Sequence, residues 1–528
     1  MTSRISPLLT DRPQLLAALE RTQQVDIVVI GGGATGLGVA LDAASRGLSV
    51  VLLEAEDFAK GTSSRATKLV HGGVRYLAQG NISLVREALH ERTALLRNAP
   101  HLAAPLGFVM PSYKCWETPF YGVGLKAYDA LAGKDGLGST RFLTKRHVES
   151  ALPGVRTQGL KGGVMYWDGQ FDDARLALAL ARTAAQHSAL LVNYCPVSEL
   201  LYTNDRVTGV VCHDAETKQS FQIQAQCVIN ATGVWVDHFR AQDDAHAGKP
   251  SQPIVSPSQG VHLVVDRDFL PSEHALLIPK TADGRVLFAV PWLGKVILGT
   301  TDTPRHDLAL EPTPFESEIN FILTEAANYL AKKPTRADVK SVWVGLRPLV
   351  KATNTEGNTK KLSREHTILS SNSGLVTVTG GKWTTYRAMA DDVLQHCAEQ
   401  GLVDLKTKPS VTKTLRLVGA PNGNHWRNLH AQADEAAYGT ETTWVQSLEG
   451  ADSEILPGLT QAMVRFAVRY EYARTVEDML ARRSRWLFLD AQAAAGAAQS
   501  VANILQDEGV TTPRLEEFYE LCRHYSLA

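Results

Sequence analysis

Three glycines and one carboxylate carry the first chemical signal in this 528-residue chain. In the run Gly31-Gly-Gly-Ala-Thr-Gly36, Gly31 permits a tight turn and Gly33 lets a pyrophosphate approach the backbone. Gly36 lets a helix lie close against a strand. The N–H groups around Ala34 and Thr35 would meet the phosphates from the positive end of a helix dipole. Glu54 follows about 20 residues later, the spacing expected of an acid that binds a ribose. Its charge would repel a 2′-phosphate, which disfavours NADP and leaves NAD or FAD. The bland alternative is a glycine turn in an ordinary βαβ unit.

The flanking residues supply the elements such a site needs. Val25-Asp-Ile-Val-Val-Ile30 is an apolar, β-branched run that reads as a buried parallel strand. Residues 34–46, rich in Ala, Leu and Val, read as a helix, and 49–54 as a second strand ending at Glu54. Cys227-Val-Ile-Asn-Ala-Thr-Gly233 is another strand that stops in small residues. Residues 374–387 repeat the pattern of strand, double glycine and helix. Helical periodicity also marks 82–96, 172–187 and 384–400. Between these pieces, 250–350 holds short β-like runs broken by Pro, Gly and Asp, which predicts an antiparallel sheet. A nucleotide fold assembled from distant segments favours FAD, stretched across several strand ends, over NAD.

Composition narrows the partners. The 54 Lys and Arg nearly balance the 55 Asp and Glu, so nucleic acid is not an expected partner. The six cysteines form no CxxC pair and read as reduced thiols of a cytosolic protein, and no metal site is expected. No secretory signal and no apolar run near the ~18 residues of a bilayer span is present. Residues 105–131 mix large apolar and aromatic side chains with Lys114 and Lys126. Such a segment suits headgroup depth at a membrane or an aromatic cluster in a core.

Several motifs together identify a family. VVIGGGATGLGVALDAASRGLSVVLLEAEDFAKGTSSRATKLVHGGVRYL, INATGVW, LGTTDT, VGLRPL, SREHTI and TGGKWTTYRAMA, in that order, closely resemble the flavin-dependent glycerol-3-phosphate dehydrogenases. These are the respiratory, membrane-associated type that passes electrons to quinone. The resemblance runs from about residue 25 to 400 and, more loosely, into RYEYARTVEDMLARRSRWLFLD. It implies an α/β plus α+β architecture: a Rossmann-like FAD-binding domain of the glutathione-reductase/amino-acid-oxidase type, an inserted antiparallel-sheet substrate domain and a C-terminal helical domain. The expected boundaries are a lead-in at 1–24, FAD-binding segments at 25–100, 166–240 and 366–405, a cap segment at 101–165, the substrate sheet at 241–365 and the helical domain at 406–528.

The resemblance also assigns residues. A phosphate dianion taken out of water needs several charge-assisted donors, ideally forked guanidinium groups. Arg75 and Tyr76 of HGGVRYL, Arg347, Arg364, Lys382 and Arg387 are the implied substrate set. His71 and His262 are the implied candidates for the base that takes the C2 hydroxyl proton, with Arg347 and Lys382 acting at the reacting centre. Before His262 the family pattern is Lys-Gly-Ser, whereas this chain has Gln259-Gly260-Val261. Beyond the first glycines, Ala34, Thr35 and Glu54, the cofactor contacts implied are Thr62, Ser63, Ser64, Ala231, Thr232, Gly233, Gly381 and Lys382. Lys382 and the helix start after Gly381 would stabilise negative charge on the reduced ring.

The expected function is oxidation of sn-glycerol 3-phosphate to dihydroxyacetone phosphate, with FAD as cofactor and quinone as acceptor. The expected location is the cytoplasm, against the inner face of the cytoplasmic membrane, with self-association as a homodimer. Two rivals stand beside it. One is an oxidase that uses O2 on the same substrate. The other is a flavin-binding protein without turnover, whose arginine-rich stretch from Arg465 to Arg485 docks a partner.

Overall fold

The computed structural model describes residues 6–73, 81–351, 366–405, 408–423 and 425–527. A parallel sheet is built on Gln24–Ile30, with Val50–Leu53 on one side and Ser220–Asn230 on the other. Leu190–Val192 and Val376–Gly380 extend it outward in the same direction. Ile27, Val28 and Val29 expose no surface, because helices cover the sheet as parallel sheets require. Helix Ala34–Ser45 lies on this sheet, with Asp173–Gln186 and Tyr386–Glu399 packed beside it. A Cβ on Gly36 would fall 1.9 Å from the Gly31 carbonyl oxygen, so the close approach of helix and strand excludes any side chain. Gly31 has φ 107°, and a Cβ there would also press on the Ala231 carbonyl oxygen at 2.7 Å.

The second sheet has ten strands among the described residues. Ser258–Asp266, Lys295–Gly299, Leu287–Trp292 and Ala275–Ile278 run antiparallel in that order, and Ser341–Arg347 pairs with the other edge of Ser258–Asp266. It is wider than the antiparallel sheet expected within 241–365. Ala103–Ser112 and Gly162–Phe171 join it, and Ala275–Ile278 pairs with Ala103–Ser112 in parallel. The reason is that Leu106, Phe108, Val109 and Met110 form a fully buried strand that needs partners on both edges.

The aromatic stretch at 105–131 therefore divides. Its first part is that core strand, and its second is the exposed-faced helix Glu117–Ala132. Leu125 and Tyr128 of the helix pack inward, while Trp116, Phe120 and Val123 are 54%, 66% and 70% exposed. No helix among the described residues is long and apolar enough to cross a membrane.

After residue 460 the chain is helical, in Gln461–Tyr470, Ala491–Asp507 and Leu515–Tyr525. Thr460 and Asp490 cap the first two by accepting from the N–H groups of Met463 and Ala493. One apolar core joins Trp292 and Trp343 of the ten-stranded sheet to Phe466 and Tyr525 of these helices and to Leu487 and Phe488 of the short helix Trp486–Leu489. The helices are thus fixed against the sheet that carries Arg347.

Candidate active site

The three strand-to-helix turns of the parallel sheet open on one cavity of about 500 Å3. Gly31, Gly33, Ala34 and Thr35 line it from the first turn; Ala231, Thr232 and Gly233 from the second; Gly381 and Lys382 from the third. Thr62, Ser63 and Glu54 also line it. Gly36 and Ser64 stand behind this lining, the first packing helix on strand and the second with its side chain buried. A crevice beyond the carboxyl ends of parallel strands is where open α/β sheets bind ligands.

The lining has the donors and acceptors a dinucleotide requires. Helix Ala34–Ser45 starts at Gly33, which offers no capping side chain, so its first turn faces the cavity with backbone N–H groups. Ser63 Oγ accepts from the Ala34 N–H at 2.9 Å and ties the neighbouring loop to this helix end. Asn230 holds the second turn open, donating to the Val236 carbonyl at 2.9 Å and accepting from the Thr232 hydroxyl at 2.8 Å. The Glu54 carboxylate accepts from the N–H groups of Gly32 at 2.6 Å and Glu56 at 2.9 Å. Burial pushes its pKa up to about 7, against the pull of those two N–H groups. A carboxylate has further lone pairs for two ribose hydroxyls, so the residues present fit FAD.

Arg347 ends the strand Ser341–Arg347, and its neighbour Pro348 lines the cavity. Its guanidinium donates to the carbonyls of Gln259 at 3.2 Å and Thr301 at 3.0 Å, and meets Asp302 Oδ1 at 3.2 Å. Gly260 makes room for it: a Cβ there would lie 2.3 Å from Arg347 Nη2. His262, one residue beyond Val261, is 2% exposed and stacks on Trp343 at 5.1 Å. Its Nε2 lies 2.9 Å from the Thr67 hydroxyl. Burial first, then the charges of Lys68 and Arg347, hold its pKa well below the ordinary histidine value, so the ring is neutral. Gln259, which departs from the family pattern, is buried between Glu318 and Arg305, each at 2.5 Å.

Lys382 lines the cavity, and its Nζ is buried. The half-buried His71 lies one loop away, its carbonyl accepting from the Thr384 hydroxyl at 3.5 Å. Arg387 is placed away from the other members of the expected set by its ion pair. Both arms of its fork close on Glu91, at 2.8 and 2.6 Å, which engages the guanidinium in helix packing. Arg75, Tyr76 and Arg364 lie outside the described residues.

Two features escape a reading of the sequence. Trp235 and Trp383 wall the cavity, and the indole N–H of Trp383 donates to the Ser63 carbonyl at 2.8 Å. Of the arginine-rich stretch from Arg465 to Arg485, read as a docking surface in one rival, Arg482, Arg483 and Arg485 are interior, whereas Arg469 keeps an exposed side chain. Arg482 and Arg483 both bond Asp57, and Arg485 donates to Asp173 at 3.0 Å. All three are buried, which leaves them no surface to dock a partner. The local trace they leave is three arginines within four residues, directly before the apolar run Trp486–Leu489.

Comparisons with known proteins agree with this geometry. Residues 26–387 match the family of FAD dependent oxidoreductases, and residues 410–511 match the C-terminal domain of alpha-glycerophosphate oxidase. The mitochondrial glycerol-3-phosphate dehydrogenase of Homo sapiens is 41% identical over 536 residues, covering 94% of this chain and 72% of its own. That of Schizosaccharomyces pombe is 37% identical, covering 94% and 86%. The X-ray structure of the glycerol-3-phosphate dehydrogenase from Bacillus halodurans complexed with FAD superposes with a TM-score of 0.75 at 29% identity, covering 97% of each chain. L-alpha-glycerophosphate oxidase from Mycoplasma pneumoniae, 17% identical with a TM-score of 0.55, covers 77% of this chain and 98% of its own and shares the fold. The cavity at three glycine-rich strand ends, the family match over most of the chain and these relatives converge: the chain is an FAD-dependent oxidoreductase that belongs to the glycerol-3-phosphate dehydrogenase family.

Proposed function

We propose that this enzyme oxidises sn-glycerol 3-phosphate to dihydroxyacetone phosphate and delivers the electrons to quinone at a membrane surface. The observation that carries the reading is the fixed guanidinium of Arg347, one residue from the wall of the FAD cavity. Such a group suits the phosphate of a substrate whose alcohol must face the cofactor. Bound FAD supplies the acceptor for the hydride from C2.

The chain's own residues do the rest. Arg347, with Arg75 and Arg364 from segments outside the described residues, binds the phosphate. Lys382 places a buried cation beside the reacting centre and offsets negative charge that develops there. We assign the C2 hydroxyl proton to His71. A neutral imidazole held as far down as that of His262 is too weak a base at neutral pH, which leaves His262 to orient the hydroxyl.

Anaerobic addition of glycerol 3-phosphate to the yellow holoprotein should bleach its visible absorbance, whereas glycerol should not. Equal bleaching by glycerol would show that no phosphate clamp operates. Release of peroxide in air at the full turnover rate, with no gain from added quinone, would identify an oxidase instead.

The membrane contact we assign to the helix Glu117–Ala132. Its outer face carries Phe120 and Val123, Trp116 directly precedes it, and Lys114 and Lys126 are exposed beside them. Apolar side chains ringed by lysines suit an anionic bilayer, here the inner face of the cytoplasmic membrane.

A further inference from the structure

Lys68 is a lysine with no exposed surface. Its Nζ lies 5.3 Å from the ring centroids of Trp292 and Trp343 and 5.2 Å from that of Phe488. Inside this cage it donates to the Ser64 carbonyl at 2.7 Å and to Asp173 Oδ2 at 2.8 Å. Arg485, reaching in from the C-terminal helices, donates to the same Ser64 carbonyl at 2.8 Å and to the other oxygen of Asp173 at 3.0 Å. One loop carbonyl thus takes two charge-assisted hydrogen bonds from caged cations.

The loop they hold, residues 61–68, contacts the first and third turns of the candidate site and the strands that carry Arg347 and His262. Thr62 donates to the Leu346 carbonyl at 2.6 Å, directly before Arg347. The Ser63 hydroxyl binds the start of the phosphate-facing helix, and the Ser63 carbonyl binds Trp383, directly after Lys382. Thr67 bonds His262. The placement of Arg347, Lys382 and His262 relative to the FAD cavity therefore runs through one short segment.

We propose that Lys68 is a positioning residue, whose ammonium pins this loop through the Ser64 carbonyl and so keeps the substrate-facing groups in register with the cofactor. The proposal rests on the reading of the site as a glycerol 3-phosphate oxidising centre. The charged amine makes both hydrogen bonds charge-assisted and is attracted to the three ring faces; the neutral amine keeps two N–H donors but loses the ionic pull of Asp173 and the cation–π contact. Burial brings Lys68 down to about 7, against the upward pull of Asp173 and Asp172 and together with the push of Arg485. His262, across the Trp343 ring, is neutral and adds no charge. Raising the pH through neutrality removes the proton and loosens the pin.

The test is steady-state oxidation of glycerol 3-phosphate by the holoenzyme with a soluble dye, as a function of pH. The unaltered enzyme should lose kcat on an alkaline limb centred near the Lys68 value. Lys68→Met should keep FAD, leave KM within a few-fold, lose the limb and lower kcat by about 100-fold, the scale of an ångström of misplacement. Phe488→Leu, which removes one wall of the cage and admits water, should move the limb to higher pH. A Lys68→Met enzyme with unchanged kcat overturns the proposal. So does a limb that stays in place in Phe488→Leu, which decides the matter if Lys68→Met does not fold. An unaltered enzyme inert toward glycerol 3-phosphate but reduced by another alcohol would instead indict the substrate assignment.

Discussion

Arg347 Nη1 stands 3.2 Å from Asp302 Oδ1, and the same guanidinium is held by two backbone carbonyls at the rim of the FAD cavity. The side chain is therefore oriented before any substrate arrives, and binding a phosphate there costs little ordering entropy. Replacing Arg347 with alanine should raise KM for glycerol 3-phosphate, since loss of one partner of a desolvated charge pair costs about 2–5 kcal/mol. FAD content should not change. A KM equal to that of the unaltered enzyme would remove Arg347 from the clamp.

Gly260 offers an independent route to the same result. Its Cβ position lies 2.3 Å from Arg347 Nη2 and 2.6 Å from the Thr300 hydroxyl. Gly260→Ala must displace the guanidinium, so KM should rise while the fold, buried in a continuous strand, persists. Steady-state kinetics and a thermal melt on one preparation separate the two effects. A methyl group tolerated with no change in KM would mean that the guanidinium position is unimportant.

Glu54 predicts a pH dependence of cofactor binding. Burial raises its pKa to about 7, so near neutrality part of the population is protonated. Ribose hydroxyls donate better to the carboxylate than to the acid, and FAD binding favours loss of the proton. Affinity of the deflavinated protein for FAD should accordingly increase as pH rises through about 7 and level off above it. Glu54→Gln should abolish that dependence and weaken binding by about 1.5–3 kcal/mol, the worth of a hydrogen bond to a charged group. Titration of FAD at pH 6 and pH 8 checks both; equal affinities in the parent protein would contradict the assignment.

How much of this was legible depends on how local each cause is. The turn at Gly31, the helix–strand contact at Gly36 and the acid at Glu54 are encoded within one βαβ unit, so spacing alone reveals them. The helices Ile82–Asn98, Asp173–Gln186 and Tyr386–Glu399 follow from periodicity for the same reason. The parallel pairing of Ala103–Ser112 with Ala275–Ile278 depends on strands far apart in sequence, and a short apolar run does not name its partner. Lys68 looks like any surface lysine until Trp292, Trp343 and Phe488 close around it from three distant segments. Arg482 and Arg483 read as part of a docking stretch because Asp57, which neutralises both, lies near the other end of the chain.

Arg387 shows the same limit from the opposite side. Its motif marks it for substrate, yet its fork is closed on Glu91 with both groups largely buried. Removing one partner from such a pair leaves an uncompensated charge, at a cost of about 3–5 kcal/mol. Arg387→Met should lower the melting temperature and leave KM for glycerol 3-phosphate within a few-fold, and Glu91→Gln should behave alike. A large rise in KM with unchanged stability would return Arg387 to the clamp.

The proposed membrane contact makes the last prediction. Phe120 and Val123 project from the helix Glu117–Ala132, and Trp116 stacks edge-on with Phe120 at 5.8 Å. The Lys126 ammonium lies over Phe142, itself exposed, at 5.8 Å, which keeps a positive charge beside the apolar face. Near an anionic surface each lysine contributes about 1 kcal/mol, so neutralising Lys114 and Lys126 should weaken vesicle binding by about 30-fold. Trp116→Ala should weaken it further by loss of an interfacial anchor, and salt should weaken the parent protein but not the apolar remainder. Turnover with a soluble dye should be unaffected in all of these variants, because none of the residues lines the FAD cavity. Co-sedimentation with vesicles containing anionic lipid measures the effect. Binding that survives all three substitutions would locate the contact on another face of the molecule.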